Sequence, residues 1–197
     1  MVVGITGTSG SGKSTVSRIF AENGFTHIDL DAVYRSVTVP FSPCLKEIEN
    51  AFGPSVILPD GNLNRSELAK TVFNDKEKLR LLNSVTHKFV IEKMKEIISR
   101  TNGDILLDVP LLFESGVDIM CDFTVGVIAD RKLKIERIIA RDGVDEDIAK
   151  ARLDSQKSDD FYIRNCDFTI ENSNTVEDLK SRSESLILTI RKAAENV

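Results

Sequence analysis

Gly7-Thr8-Ser9-Gly10-Ser11-Gly12-Lys13-Ser14 fits the spacing G-x-x-x-x-G-K-[ST]. Val2-Val3-Gly4-Ile5-Thr6 before it is short, mostly apolar and β-prone, and Val16 to Glu22 after it reads as a helix. A strand, a glycine-rich turn and a helix N-terminus in that order make an anion site. The glycines let the backbone turn closely, its N–H groups converge on phosphate oxygens, and the helix dipole adds a favourable field. Thr8, Ser9, Gly10, Ser11 and Gly12 then form the cradle. Lys13 reaches the β- and γ-phosphates, and Ser14 places its hydroxyl on Mg2+. Thr15 is read as helix packing or an adenine-side contact. The stretch predicts a nucleoside triphosphate site and leaves open what receives the phosphate.

The rest of the chain supplies further strands and helices. Phe25 to Asp29, Asp104 to Val109, Phe123 to Ile128 and Phe168 to Glu171 read as strands. The apolar centre Ile105-Leu106-Leu107 suits a sheet buried on both faces. Helices are expected over Ala32–Val39, from Leu63–Leu68 onward, over Lys76–Arg100 in one or two pieces, and over Lys132–Arg141, Glu146–Gln156 and Thr175–Asn196. Pro40 and Pro43 are read as stops for the Ala32–Val39 helix, and Pro59-Asp60-Gly61-Asn62 as a turn. Whether Phe41 to Pro59 forms an ordered wall or a mobile connection stays open. Strands separated by helices predict an α/β fold with a mostly parallel five-stranded sheet between helical layers. With the phosphate-binding loop ahead of its first helix, that is a three-layer sandwich of the P-loop nucleoside triphosphate hydrolase type.

Several side chains stand where such a sheet places ligands, at the carboxyl ends of its strands. Asp31 follows the second strand. It can orient an attacking hydroxyl, accept its proton or hold a metal-bound water, or else cap the next helix. Asp108 closes the third strand, as does the acid that holds Mg2+ in P-loop enzymes. Pro110, Leu111, Leu112 and Phe113 wall an acceptor pocket or pack as core, and Glu114 is a site residue or a surface one. Arg137 and Arg141 are four apart on one helix face. They are candidates to stabilise a transferred phosphoryl group, set against a solvated face paired with Glu136 and Asp142. Arg65 and Arg35 are candidates for an acceptor phosphate or ordinary surface residues. His27 is read as structural. His87 stays open between a structural role and one on the acceptor side, which its helix is a candidate to line.

Composition limits the alternatives. The chain has 197 residues, 41% hydrophobic and 29% charged, with a net charge of -5. That is enough chain for one main domain with an inserted smaller element. The negative balance speaks against a general nucleic-acid binder. No apolar run is long enough to span a bilayer, and the first residues lack the charged segment of a secretory signal. Cys44, Cys121 and Cys166 have no metal-like spacing and read as reduced thiols of a cytoplasmic protein.

Taken in order, these segments resemble the dephospho-coenzyme A kinase family over almost the full length. The resemblance is carried by Gly4 to Val16, His27 to Asp31, Pro59 to Arg65, Val72-Phe73, Leu82 to His87 and, above all, Asp108-Val109-Pro110-Leu111-Leu112-Phe113-Glu114. It implies transfer of the γ-phosphoryl of ATP to the ribose 3′-hydroxyl of dephospho-CoA, with Mg2+. Asp31 is implied as the catalytic aspartate, with Lys13 and Ser14 as phosphate and metal elements. Arg65, His87, Asp108 and Pro110 to Glu114 fall on the acceptor side, Asp108 serving also as a metal residue. Arg137 and Arg141 become lid arginines, Gln156 falls in the second lid helix, and Asn172 lies near the adenine. The implied layout is nucleotide-kinase-like, with a core of 1–31, 101–130 and 159–197, an acceptor-binding helical region of 32–100 and a lid of 131–158. Departures from the family pattern include Leu30 for alanine, Lys88 for the proline after His87, Lys134 for glutamine and Cys166 for alanine. The small molecule is the expected partner, with no nucleic acid and no membrane; monomer and weak homo-oligomer both remain open. The competing readings are a kinase acting on a nucleoside or nucleotide, and a nucleotide-dependent binding module without acceptor chemistry.

Overall fold

In β1 (Val2–Gly7) the side chains divide by period two. Val3 and Ile5 enter a core with Val16, Phe20, Val125, Val127 and Ile187. On the opposite side Gly4 has no room for a side chain, because an added Cβ would stand 2.6 Å from the Cys121 sulfur and 3.2 Å from Leu112. These facts come from a computed structural model, which describes residues 1–73 and 75–195. The Asn196 end of the last helix expected from sequence lies outside that range.

The sheet contains β1, β2 (Thr26–Asp29), β3 (Ile105–Asp108), β4 (Phe123–Ile128) and β5 (Phe168–Glu171), in the order β2-β3-β1-β4-β5. The pairings β1–β3, β1–β4 and β4–β5 are parallel, and Ile5 stands opposite both Asp108 and Val125. All four residues of β3 are buried, as a strand covered on both faces requires. Helices α1 (Lys13–Glu22) and α9 (Val176–Ala194) supply Val16, Ile19, Phe20, Leu179, Ile187 and Ile190 to the core on one face. On the other face lies α8 (Asp159–Asn165), whose Tyr162 fills the space beside Gly126. The result is the three-layer α/β sandwich expected from sequence. Helices α6 (Arg131–Asp142) and α7 (Glu146–Asp154) pair through Ile138, Ala149 and Leu153.

The chain divides into two compact units, one of Met1–Ile28 with Gly103–Val197 and the other of Asp29–Asn102. The second unit holds α2 (Leu30–Val37), α3 (Pro43–Phe52), α4 (Arg65–Phe73) and α5 (Lys76–Arg100). Cys44, Leu45, Ile48, Val56, Leu63, Leu68 and Val72 form its core. Pro43 does not merely end the preceding helix: it is the first residue of α3, where its missing N–H costs nothing, and Ser42 caps the helix by accepting from Leu45 N at 3.2 Å. The Phe41–Pro59 stretch is therefore largely an ordered helix. Lys76 to Arg100 is one helix, capped by Asp75, and not two.

Candidate active site

Two elements aim the glycine-rich loop. Helix α1 begins at Lys13, three residues earlier than the sequence pattern predicts, so Lys13 and Ser14 form its first turn. Gly12 is its N-cap with φ 91° and offers no side-chain cap, which leaves first-turn N–H groups for an anion. The loop is braced from below. Asn172, buried after β5, donates from Nδ2 to Ser11 O at 2.8 Å. A Cβ on Gly12 would stand 1.9 Å from that nitrogen, at a backbone angle side chains rarely adopt, so a substitution there would strain the loop and displace its brace. Arg137 of α6 donates to Gly10 O at 3.2 Å and to Asn172 O at 3.1 Å. Gln156 accepts from Ser9 N at 3.0 Å and donates to Ser9 Oγ at 3.2 Å. Thr8 Oγ1 and Ser11 Oγ are buried with no hydrogen-bond partner among the described residues. Buried hydroxyls without partners are costly, and a bound polar ligand relieves them.

Over the loop lies a cavity of about 370 Å³, lined by loop residues with Pro110, Arg137, Arg141 and Gln156. A larger groove of about 470 Å³ runs from Asp130 to Glu146 along α6 and α7. It contains none of the loop residues and mixes charges of both signs, so volume alone does not pick the site.

Asp108 closes β3 beside the loop. Its carboxylate contacts Lys13 Nζ through Oδ1, while Oδ2 accepts from Ser17 Oγ at 2.8 Å and lies 3.3 Å from His27 Nε2. Burial works against its ionisation, but the Lys13 ammonium and the hydrogen bonds from Lys13, Ser17 and His27 outweigh this and hold the carboxyl below its usual range. The segment after it divides. Leu112 is fully buried against the sheet, Phe113 meets Phe161 edge to face at 5.5 Å, and Pro110, Leu111 and Glu114 are exposed. Leu112 is thus core, and of this segment Pro110 alone lines the cavity over the loop.

On α6 the two arginines differ. Arg137 pairs with neither Glu136 nor Asp142, since its guanidinium is on the loop and Asn172. Arg141 makes a two-point contact to Asp142, at 2.7 and 2.9 Å, and Arg152 shares the same carboxylate. Hydrogen bonds from Arg141 hold the Asp142 carboxyl down at about 2. Lys134, one turn before Arg137, is buried and gives both oxygens of Asp159 a hydrogen bond, at 2.7 and 2.9 Å. Its backbone carbonyl lies against Gly10.

The remaining candidates belong to the second unit. Asp31 is exposed in the first turn of α2 and does not cap it: Asp29 does, accepting from Asp31 N at 2.9 Å. The strand stops at Asp29, which places Asp31 on the helix. Arg35 pairs with Asp29 Oδ2 at 3.5 Å. Arg65 begins α4 and sits 5.9 Å from the ring centre of Tyr34. His87 is on an exposed position of α5.

Sequence reasoning missed the group around Asp108. Ser17 was within reach, because it lies four residues after Lys13 on the same helix face. His27 was not, because only the strand order puts β2 beside β3.

A parallel α/β sandwich with this loop, a strand-end acid and arginines on a following helix defines a P-loop kinase. The sequence profile of dephospho-CoA kinases matches residues 1–178, and the chain belongs to that family. It is 40% identical to the dephospho-CoA kinase of Fusobacterium nucleatum, over 96% of this chain and 98% of that one. Among solved structures it is similar to a Thermus thermophilus protein (TM-score 0.82, 30% identity, 96% and 97% of the two chains). It is also similar to the dephospho-CoA kinase of Campylobacter jejuni (TM-score 0.71, 27% identity, 98% of each chain).

Proposed function

We propose that this chain transfers the γ-phosphoryl group of ATP to the ribose 3′-hydroxyl of dephospho-CoA, giving CoA and ADP, the last step of coenzyme A biosynthesis. The observation that carries the reading is the braced loop with Lys13 parked on Asp108, in a chain whose family relationship extends over residues 1–178. The loop N–H groups and Lys13 take the triphosphate, with Lys13 exchanging its carboxylate for phosphate oxygens. Arg137 and Arg141 offset the charge that develops on the transferred group. Asp31 orients the 3′-hydroxyl or accepts its proton. The 3′-oxygen forms the new bond to phosphorus, the bond to the β–γ bridging oxygen breaks, and ADP leaves.

The residues also suit Mg2+. Ser14 and Asp108 are hard oxygen donors, and Asp108 is held ionised. Among the described residues no group of three His, Cys, Asp or Glu side chains could hold a metal ion. Phosphate oxygens and water would therefore complete its shell, as is usual for Mg2+ on a nucleotide. When bound, the ion would neutralise phosphate charge. We place the enzyme in the cytoplasm, acting on a small molecule without nucleic acid or membrane. No helix among the described residues is long and apolar enough to cross a membrane.

The test is direct. Purified protein with Mg-ATP and dephospho-CoA yields CoA and ADP in equal amounts. Folded protein that forms no CoA, or that phosphorylates a nucleoside or nucleotide faster than dephospho-CoA, overturns the reading.

A further inference from the structure

We infer that His27 is a positioning residue for Asp108. Together with Ser17 it fixes one carboxylate oxygen, so that the other keeps its aim when Lys13 turns to the phosphates. The inference rests on the reading of Asp108 as the strand-end acid of the donor site.

The two oxygens of Asp108 are not equivalent. Oδ1 meets Lys13, and Oδ2 has the two partners Ser17 and His27, from α1 and β2. An ionised carboxylate only accepts, so His27 Nε2 carries the hydrogen in this contact, whatever the state of its other nitrogen. The donors reach the same oxygen from different elements, and each element is fixed independently. Ser17 is positioned by the helix, and its single hydroxyl hydrogen is divided between Asp108 Oδ2 at 2.8 Å and Lys13 O at 3.0 Å. His27 is held by the sheet, with β2 next to β3.

Lys13 cannot serve Asp108 and a triphosphate equally, and the more highly charged ligand takes it. Asp108 then loses the partner of Oδ1. With one remaining hydrogen bond a carboxylate is free to turn about its Cβ–Cγ bond. With His27 as an undivided donor on Oδ2 beside the shared Ser17 hydroxyl, the plane is set and Oδ1 stays where Lys13 left it. Packing does not account for His27: its side chain is 38% exposed, and it belongs to none of the buried clusters described above. A ring so exposed, with its nitrogen on a mostly buried carboxylate, is there for the hydrogen bond.

The experiment measures ATP binding by calorimetry, with and without Mg2+ and without acceptor, alongside steady-state kinetics at varied Mg2+. His27→Ala is expected to lose about tenfold of the Mg2+-dependent gain in ATP affinity, the usual scale for a residue that orients a ligand. Half-saturation by Mg2+ rises in step, while Mg2+-free ATP binding and KM for dephospho-CoA stay within about twofold. His27→Gln keeps an N–H donor and restores most of the loss. If His27→Ala is too unstable to purify, His27→Leu takes its place against His27→Gln. A variant lacking the donor that binds like the parent, or a glutamine variant no better than alanine, overturns the role of His27. Asp108→Asn separates the two readings. If it leaves the Mg2+-dependent gain intact, the reading of Asp108 itself fails. If it removes the gain while His27→Ala does not, only the inference about His27 fails.

Discussion

At the scale of the residue, the chemistry depends on which charges are already engaged. Lys13, Arg137 and Arg141 each hold an internal partner, whereas the Asp31 carboxylate has no hydrogen bond or ion pair among the described residues. A carboxylate exposed on the first turn of a helix is available to a hydroxyl from outside. Asp31→Asn keeps the shape and removes the basic oxygen. Turnover is expected to fall by roughly 10²–10⁴, the range for loss of a positioned proton acceptor, with ATP affinity within about twofold. Near-normal turnover in that variant would remove Asp31 from the reaction. Loop residues were readable in the sequence because the glycine spacing itself encodes the backbone path. His27 and Lys134 were not, because each gains its meaning from a partner far along the chain, Asp108 and Asp159.

At the scale of the element, periodic segments came through well and short ones less so. The β4 and β5 strands fall on the expected residues, since β4 is a mostly apolar run and β5 alternates apolar and polar residues. Helix α3 was hidden behind two prolines read as stops. The prolines are alike in sequence, but only Pro43 follows a capping serine. Ser42→Ala is expected to cost about 1 kcal/mol, read as a lowered midpoint in urea or heat. An unchanged midpoint would mean that the cap contributes nothing there. Helix α8 was unread because its seven residues are too few to show a period, although Tyr162 is buried beside the sheet.

At the scale of the whole molecule, the ledger of binding is tied to that of folding. A nucleotide that meets the braced loop only in the folded chain stabilises it by about 2.7 kcal/mol at a hundredfold excess over Kd. For a chain of this length that is roughly 5–10 °C in the unfolding midpoint. Thermal scans with ATP check it, and a midpoint unmoved by saturating ATP contradicts the loop as a nucleotide site. The α/β class followed from the alternation of strands and helices, while the division at Asp29 and Asn102 follows from where the two cores close, which no single segment reveals. The carboxylate of Asp142, held by Arg141 and Arg152 together, has a consequence for the empty enzyme. It acts as a resident counterion for Arg141. A stray chloride or a lone phosphate has to outbid an anion that is already attached to the chain. If a triphosphate draws Arg141 away, as the proposed reaction requires, Arg152 remains on Asp142 and the carboxylate is not left unpaired. Under the proposed reaction, Arg141 would then go to a ligand with many charges in preference to a dilute small anion.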